Sequence, residues 1–383
     1  MQKSEPPKFS MNNNILKRSL AYIAGLSIRI LKLFVPIKSL WNKLKVLQDI
    51  CYRHSYNFIS AQEYIDKFRV NTDTYFLDGI KVFVFSDFYV TVNETSVESY
   101  IHDKRKNILI ESGASYVNRN VPTILINFPK TKLIDVDEAV DLALMNNYNY
   151  WHFSFTALDK IMAFEENGYK GKYIVPNIKY IRELLALTNI PMEKFIFTDG
   201  TKCTFRVKKL HVLEYSYKGD STSFSNPEIM HKIRDLVLSN IDLSDISSYP
   251  KRIFVKRIGV RKIKNESEVE NYLNRYGFKI IVPENYSVEE QIKYFYAADI
   301  VFCAHGANST NALYMRPNTH FIESFGVKYV NPCILDIIKV NKLNYNMIVE
   351  NLSSPNTKKN IEDCSADYNV DLKHLDSVLY NLV

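Results

Sequence analysis

The fold is decided by residues 299–324, which read DIVFCAHGANSTNALYMRPNTHFIES. The apolar run 300–304 predicts a buried parallel strand that ends at the polar turn 305–308. A helix is expected to begin near Ser309, and a second apolar strand follows it and ends at Glu323. This order of elements is typical of a nucleotide site. The glycine of the turn admits a ligand close to the backbone, and the free N–H groups of the helix start can hold an anion.

The residues before this stretch alternate between strand and helix patterns. Residues 252–256 form a short apolar run, and a helical apolar spacing follows, with Asn265 as its expected cap. A strand is expected at 278–282, and Ser287 begins the next helix. This alternation predicts an α/β fold with a doubly wound parallel sheet, whose ligands bind at the carboxyl ends of the strands.

The N-terminal half of the chain alternates as well. Its expected elements are a β-hairpin at 75–92, strands at 121–128 and 172–175, and helices at 137–145, 152–167 and 178–187. They fit a second Rossmann-like domain, and a chain of 383 residues with 46% hydrophobic content can bury two cores. The polar stretch 217–226 is the best candidate for a linker.

Positive charge is concentrated at the N-terminus. Residues 1–48 hold nine Lys or Arg and a single acid, whereas the whole chain has a net charge of +7. Their apolar runs are shorter than the roughly 18 to 20 residues that span a bilayer. We expect either a basic amphipathic helix on an anionic membrane surface or a helix packed on the protein with its lysines in water.

The cysteines do not suggest a disulfide framework or a zinc site. There are five of them, they lie far apart, and no Cys-x-x-Cys pair occurs. This pattern favours a reducing compartment, so we expect a cytoplasmic protein associated peripherally with the inner face of the membrane. The Asp135-Val136-Asp137 pattern is similar to a metal site, but its expected place before a helix favours a structural role.

Several of these residues carry a family resemblance. The resembling positions, in order and spacing, are Arg257, Arg261, Asn265-Glu266, Glu290-Gln291, His305-Gly306-Ala307 to Asn311, and Glu323. With the aromatic segment Tyr148-Asn149-Tyr150-Trp151-His152-Phe153 and the strand Tyr173 to Pro176, they resemble glycosyltransferase family 61 over about residues 140–330. The resemblance implies a GT-B fold of two Rossmann-like domains facing across a cleft. It also implies an inverting mechanism, a UDP-sugar donor, and neither a metal nor another cofactor.

The resemblance and the composition together suggest three parts of the chain. Residues 1–48 are the basic N-terminal segment. Residues 49–225 are expected to be an acceptor-binding Rossmann-like domain, and residues 226–383 a nucleotide-sugar-binding one. His152 is the candidate general base, with Trp151 and Phe153 placed to stack on a sugar; its plainer alternative is a partly buried histidine among aromatics.

The remaining candidates are donor-binding residues. Guanidinium groups suit diphosphate oxygens, so Arg257 and Arg261 are expected to hold the diphosphate. The resemblance places the turn from His305 to Asn308 at the donor, and Glu323 could accept hydrogen bonds from ribose hydroxyls. The full donor-binding set is Arg257, Arg261, His305, Gly306, Ala307, Asn308, Asn311 and Glu323.

Two functions follow from this reading. The first is an inverting glycosyltransferase, a hexosyl- or pentosyltransferase, that moves a sugar from a UDP-sugar to a glycan or lipid-linked oligosaccharide in the synthesis of a surface polysaccharide such as capsule or lipopolysaccharide. The second is a basic α/β protein without enzymatic activity. It would bind nucleic acid by stacking bases on some of its 26 Tyr and 22 Phe and by attraction to the lysines between them. Those aromatics mostly have core spacing and no nucleic-acid fold signature is visible, so we expect no nucleic-acid partner.

Overall fold

The computed structural model describes residues 57–92, 99–105, 107–112, 132–143, 148–198, 203–214, 227–331, 333–350 and 360–382. The chain divides into two compact units. The first is drawn from Met1–Met145, Lys170–Asn177 and Phe195–Ser216, and the second from Asn146–Tyr169, Ile178–Lys194 and Tyr217–Val383. The basic segment 1–48, the strand expected at 121–128 and the linker expected at 217–226 lie outside the described residues. None of the described helices has the length and hydrophobicity needed to cross a membrane.

The first unit is built on a sheet that has nine strands in the described part of the chain. The strands are β1 (Asn57–Ile59), β2 (Asp73–Leu77), β3 (Ile80–Val92), β4 (Ser99–His102), β5 (Asn107–Leu109), β6 (Lys132–Asp141), β7 (Lys172–Pro176), β8 (Phe195–Thr198) and β9 (Cys203–Leu213). Their order is β1-β5-β4-β3-β9-β6-β7-β8, and β2 pairs with β3. Helix α1 (Ala61–Phe68) begins at a capping box of Ser60 and Glu63 and packs Tyr64 into the sheet core.

Antiparallel pairs form the centre of this first sheet. Strand β3 is antiparallel to β2, β4 and β9, whereas β9, β6, β7 and β8 are parallel neighbours. The predicted hairpin is confirmed: Asp78 and Gly79 connect β2 to β3 with φ values of 49° and 79°. A two-residue turn with two positive φ values makes antiparallel neighbours. This half is therefore a mixed sheet rather than the predicted doubly wound parallel sheet.

The helix predicted at 137–145 is wrong over its first five residues, because residues 137–141 complete strand β6; residues 144–145 lie outside the described residues. Strand β6 has parallel partners on both sides, and ladder hydrogen bonds override the local helical pattern. Asp135 and Asp137 accept from Arg206 and Lys208 of β9 at 2.7 and 2.6 Å. These surface ion pairs give both carboxylates a structural role, although not the helix cap that was expected.

The second unit is built on a parallel sheet with five strands in the described part of the chain. They are β10 (Arg252–Val255), β11 (Lys279–Ile281), β12 (Ile300–Ala304), β13 (His320–Phe325) and β15 (Asn344–Val349); β14 (Tyr329–Val330) pairs separately with β16 (Asn360–Ile361). The helices are α2 (Tyr150–His152), α3 (Leu158–Glu166), α4 (Lys179–Ala186), α5 (Pro227–Ser239), α6 (Glu266–Arg275), α7 (Val288–Ala297), α8 (Leu335–Val340) and α9 (Leu372–Tyr380). A π-helix, Phe153–Ala157, joins α2 to α3, and the 3-10 helices include Pro283–Asn285 and Ala307–Tyr314.

The strand order of the second sheet is β11-β10-β12-β13-β15. From β10 the chain winds to β11 on one side, and it then crosses to β12 on the other. Right-handed crossovers in opposite directions place α6 and α7 on opposite faces of the sheet. The predicted doubly wound parallel sheet is therefore present in this unit. Winding reverses between β10 and β12, which is the switch point where open α/β sheets bind ligands.

One face of the second sheet packs against α6 and α9. Phe254, Phe302 and Ile322 meet a helical layer that includes Val269 and Leu375, all fully buried. Such side chains contribute about 1.5–3 kcal/mol each when they leave water.

The two predicted helix caps of this unit have different outcomes. Helix α7 begins at the predicted capping box of Ser287 and Glu290. The side chain of Asn265 does not cap α6 but exchanges hydrogen bonds with the backbone of Val370, at 2.9 and 3.0 Å. It therefore fastens the start of α6 to a segment 105 residues later in the chain.

The division into units differs from the predicted boundary between residues 225 and 226. Segments Asn146–Tyr169 and Ile178–Lys194 belong to the second unit. The hydroxyl of Tyr150 donates to the amide oxygen of Asn311 at 2.7 Å, and the carboxylate of Glu183 accepts from the N–H of Val288 at 3.0 Å. The chain passes from the first unit into the second at each of these two segments and returns to the first unit after each. No single cut in the sequence therefore separates the units.

A buried carboxyl group closes the end of β6 in the first unit. Asp141 is 2% exposed, accepts from the hydroxyl of Ser99 at 2.7 and 2.8 Å, and accepts from the N–H of Ala143 at 3.1 Å. Burial raises the pKa of Asp141 to about 7, and these hydrogen bonds oppose the shift. The folded protein therefore holds a proton on Asp141 that the unfolded chain releases near pH 4.

We expect this proton to make the free energy of unfolding depend on pH. A folded pKa above the unfolded one makes the free energy of unfolding fall as pH rises from about 4 to about 7, by at most about 1.4 kcal/mol per unit. Asp141→Asn cannot ionise, so its stability relative to wild type should rise over this range in urea unfolding at pH 5 and pH 7. Asp137→Asn, an exposed change on the same strand, should keep the wild-type trend. Equal trends in wild type and Asp141→Asn would contradict the assignment.

Candidate anion site at the switch point

The carboxyl ends of β10 and β12 lie side by side in the second unit. Val255 of β10 is paired with Cys303 of β12 in parallel register. Arg257 lies two residues after Val255, and His305 lies two residues after Cys303. Both residues are therefore at the same edge of the sheet. The structure therefore brings together two of the predicted donor-binding residues from positions 48 residues apart in the sequence.

Gly306 allows Arg257 to reach the turn after β12. The backbone of Gly306 is extended, with φ 169°, so the position requires the absence of a side chain rather than an unusual φ. A Cβ atom on Gly306 would lie 1.6 Å from Nη1 of Arg257. The guanidinium thus fills the place of a side chain next to the 3-10 helix that begins at Ala307. Its Nε donates to the carbonyl oxygen of Val260 at 2.7 Å, which holds the group in this position.

A tight loop returns Arg261 to the same region. Gly259 and Arg261 both have positive φ, 87° and 62°, so the chain reverses between the two arginines. The guanidinium of Arg261 lies over the ring of Tyr329, with its central carbon 4.7 Å from the ring centroid. Its Nε atom is buried and has no hydrogen-bond partner among the described residues. The cation is thus held by an aromatic face and keeps hydrogen-bonding capacity for a ligand.

The two guanidiniums are not neutralised within the described part of the chain. No carboxylate forms an ion pair with Arg257 or Arg261 there. Burial lowers the pKa of Arg257, and the charge of Arg261 lowers it further. Two cations that repel each other at the end of parallel strands are suited to an anion with more than one negative charge.

His305 lies beside these cations, and a buried carboxylate orients its ring. Its Nδ1 donates to Oε1 of Glu323 at 2.8 Å, and the ring is only 5% exposed. The imidazole stacks on Phe325 with a centroid distance of 4.6 Å and packs at 5.6 Å against Tyr329. Because Nδ1 is engaged and Nε2 has no partner among the described residues, Nε2 is the ring atom that can meet a ligand.

Glu323 is a positioning residue rather than a ligand contact. Its side chain is completely buried, so the prediction that it accepts from ribose hydroxyls does not fit its place in the fold. Besides the N–H of His305, its Oε1 accepts from the hydroxyl of Ser309 at 2.9 Å, and its Oε2 accepts from the hydroxyl of Tyr345 at 3.0 Å. Burial and the neighbouring charge of Glu323 raise the pKa of Tyr345, which therefore stays a donor.

Asn311 is likewise turned into the protein. It is fully buried, with its amide oxygen bonded to the hydroxyl of Tyr150 and its amide nitrogen donating to the side chain of Gln291 at 3.2 Å. Both polar atoms have partners, so the prediction that Asn311 binds the donor does not fit its placement. Ala307 and Asn308 are partly exposed at the start of the 3-10 helix, where their predicted role is compatible with the structure.

His152 lies where helix α2 passes into the π-helix. The hydroxyl of Tyr150 fastens this helix start to Asn311, so His152 belongs to the same unit as the anion site. Burial lowers the pKa of His152, which favours the neutral ring near pH 7. Single π-helical turns inside α-helices are frequent at functional sites.

The aromatic neighbours of His152 do not form a sugar platform. Trp151 is 7% exposed and packs edge-on against Phe155 at 4.9 Å, and Phe153 is fully buried. The helical turn points both rings into the core, because hydrophobic residues of this size are buried wherever the fold offers a partner. The prediction that they stack on a sugar was wrong.

Three site residues were missed from the sequence: Ser309, Tyr329 and Tyr345. Each acts through a contact with a residue 14 to 68 positions away, as in the pair of Arg261 and Tyr329. Tyr329 and Tyr345 lie in none of the quoted motifs, and Ser309 lies inside the stretch from His305 to Asn311 without having been assigned a role. Among the described residues, no group of three or more His, Cys, Asp or Glu side chains is arranged to hold a metal ion.

Replacing Gly306 by Ala should weaken anion binding with little effect on the fold. The new Cβ must displace the guanidinium of Arg257, which can swing away, so we expect a change of less than about 1 kcal/mol in the free energy of unfolding. Affinity for inorganic pyrophosphate, measured by calorimetry, should fall roughly tenfold or more. In an Arg257→Ala background the same change should have little further effect. Fully additive losses would show that Gly306 acts by another route.

Comparison with known proteins identifies the region that contains this site. The family model described as Glycosyltransferase 61 matches residues 150–322. That region includes His152, both arginines and the turn after β12, whereas Glu323 directly follows it. A search of curated proteins finds no match to the chain. Over residues 150–322, the chain is similar to glycosyltransferase family 61.

Proposed function

We propose that the protein is an inverting glycosyltransferase that moves a sugar from a UDP-sugar to a glycan acceptor. The similarity of residues 150–322 to glycosyltransferase family 61 supports glycosyltransferase activity, and hence a sugar donor and a glycan acceptor. The observation that carries the finer proposal is the unneutralised pair Arg257 and Arg261 beside Gly306 and His305. A diphosphate fits this arrangement, because two guanidiniums and an imidazole can each meet separate phosphate oxygens.

In the proposed reaction, the acceptor hydroxyl oxygen attacks the anomeric carbon from the face opposite the diphosphate. The bond between that carbon and the diphosphate oxygen breaks, and its electron pair stays on the departing diphosphate. Arg257 and Arg261 stabilise the charge that develops there, so no divalent cation is needed. The configuration at the anomeric carbon inverts in this single displacement.

The acceptor proton passes to His152 in this proposal. A general base needs an unprotonated nitrogen, and burial lowers the pKa of His152 in support of that form. The anion site and His152 lie in one unit, joined through Tyr150 and Asn311. The same hydrogen bond therefore helps to position the base relative to the turn that carries His305.

The other features implied by the family resemblance stay predictions. They are the GT-B arrangement of two Rossmann-like domains, the role in surface polysaccharide synthesis, and the cytoplasmic location at the inner face of the membrane. Co-sedimentation with anionic vesicles, before and after deletion of residues 1–45, tests the last of these; equal binding would argue against it.

No structural observation favours the nucleic-acid alternative. The basic residues of β9 do not form an open patch, because Arg206, Lys208 and Lys209 are paired with Asp135, Asp137 and Glu138. Many of the large aromatic side chains are buried in the cores of the two units and are not available for stacking on bases.

The proposal is tested by calorimetric titration of the purified protein with UDP, GDP, CMP and NAD, with and without a chelator. We expect saturable binding of UDP that is stronger than that of the other three and unchanged by the chelator. Binding of none of them would refute the proposed donor. Loss of UDP binding in chelator would show that a metal ion takes part.

His152→Ala should separate chemistry from binding. Loss of the base should lower turnover by about 10²-fold or more while the Kd for UDP changes less than about threefold. His231→Ala, at an exposed position on α5, is the matched control and should leave both quantities near wild type. An equal loss of turnover and UDP affinity in His152→Ala would mean that the residue binds the donor or supports the fold.

A further inference from the structure

The carboxylate of Glu323 is surrounded by hydrogen-bond donors. It accepts three hydrogen bonds, from the imidazole of His305 and from the hydroxyls of Ser309 and Tyr345. All three groups donate, and the carboxylate oxygens accept each bond. A fully buried negative charge thus lies directly behind the ring that faces the anion site.

The other charged and titratable groups around His305 come from every neighbouring element. Arg257, after β10, reaches Gly306, and Arg261 shares the ring of Tyr329 with the imidazole. Cys303 of β12 and Tyr368 are buried, and burial raises the pKa of both, to about 12 for the thiol, so neither carries charge near pH 7. The charged groups near His305 are thus two cations and one carboxylate.

A bound diphosphate would reverse this balance. It brings at least two negative charges to the guanidiniums and offsets their positive field at the ring. We propose that His305 takes up a proton when a nucleoside diphosphate binds, with the Nε2–H of the imidazolium donating to the diphosphate and Glu323 balancing the charge at Nδ1. The inference rests on the proposed function, because it requires a diphosphate at Arg257 and Arg261.

This coupling assigns His305 a further role in the transfer. The imidazolium would add a third cation to the diphosphate as the bond to the sugar breaks, which is when the leaving group gains charge. The proton comes from solvent when the donor binds and returns to solvent when the product leaves. The bonds formed and broken in the sugar transfer are therefore the same with or without this proton. Glu323 is then a positioning residue that also stabilises the charged ring.

The test is the number of protons taken up when UDP binds. Calorimetric titrations at pH 8 in buffers of different ionisation enthalpy give this number from the dependence of the observed heat on the buffer. The terminal phosphate is already ionised at this pH, since its second pKa is about 6. Wild type should take up roughly 0.3 to 1 proton per UDP more than His305→Gln, which has no titrating ring.

Glu323→Gln separates the counter-ion from the hydrogen bond. It keeps an acceptor for Nδ1 but removes the charge, so proton uptake should fall to the level of His305→Gln and UDP affinity should fall about tenfold. Glu268→Gln, the same change at an exposed position on α6, should keep wild-type uptake. Circular dichroism verifies folding, and the comparison with His305→Gln decides the question if Glu323→Gln fails to fold.

The outcomes are distinct. UDP binding to wild type with no more proton uptake than in His305→Gln would overturn this inference and leave the proposed donor intact. Absence of UDP binding would overturn the proposed function and this inference with it. Wild-type uptake that persists in Glu323→Gln would show that the carboxylate is not the counter-ion, and would also contradict the inference.

Discussion

One buried carboxylate organises the site of this protein. Leaving an ionised group such as Glu323 without partners in the interior would cost several kcal/mol, so the surrounding elements must supply donors. They come from the turn after β12, from the 3-10 helix that follows it and from β15. The register of three strands and the start of a helix must all be correct for this set to form. The orientation of His305 is therefore a consequence of the whole parallel sheet.

The outer side of the same imidazole has the opposite electrostatic character. Arg257 and Arg261 approach it without carboxylate partners in the described part of the chain, and the missing side chain of Gly306 makes room for the first of them. Negative charge is buried and fully hydrogen-bonded, whereas positive charge is left unsatisfied at the mouth of the site. This polarity, together with the winding reversal between β10 and β12, supports the proposed donor site.

Local patterns predicted the second unit better than the first. The apolar runs of β10 and β12, the capping box at Ser287 and the turn at Gly306 each depend on residues close in sequence. Residues 137–141 lie in a segment with a helical pattern, but they form strand β6 because the rest of the fold supplies the parallel partners β7 and β9. The mixed character of the first sheet depends on the long pairing of β3 with β9, which no local pattern reveals.

The same distinction applies within the site. The residue types of Arg257, Arg261 and His305 pointed to an anion, and the structure brings their positions together. Whether a polar side chain faces a ligand or the interior depends on contacts across the sheet. Glu323 is directed inward by Tyr345, and Asn311 by Tyr150, so both were assigned to the wrong side of the site.

The unpaired guanidiniums also affect the free energy of unfolding. Their mutual repulsion lowers the stability of the protein without a ligand. An ion pair with a carboxylate of the protein would remove this repulsion, but it would also compete with an anionic ligand. An anion bound at the proposed site would supply the missing counter-charge, and by linkage it would add RT ln(1 + [L]/Kd) to the free energy of unfolding. Under the proposed function, the stability of the protein would therefore depend on the concentration of its donor.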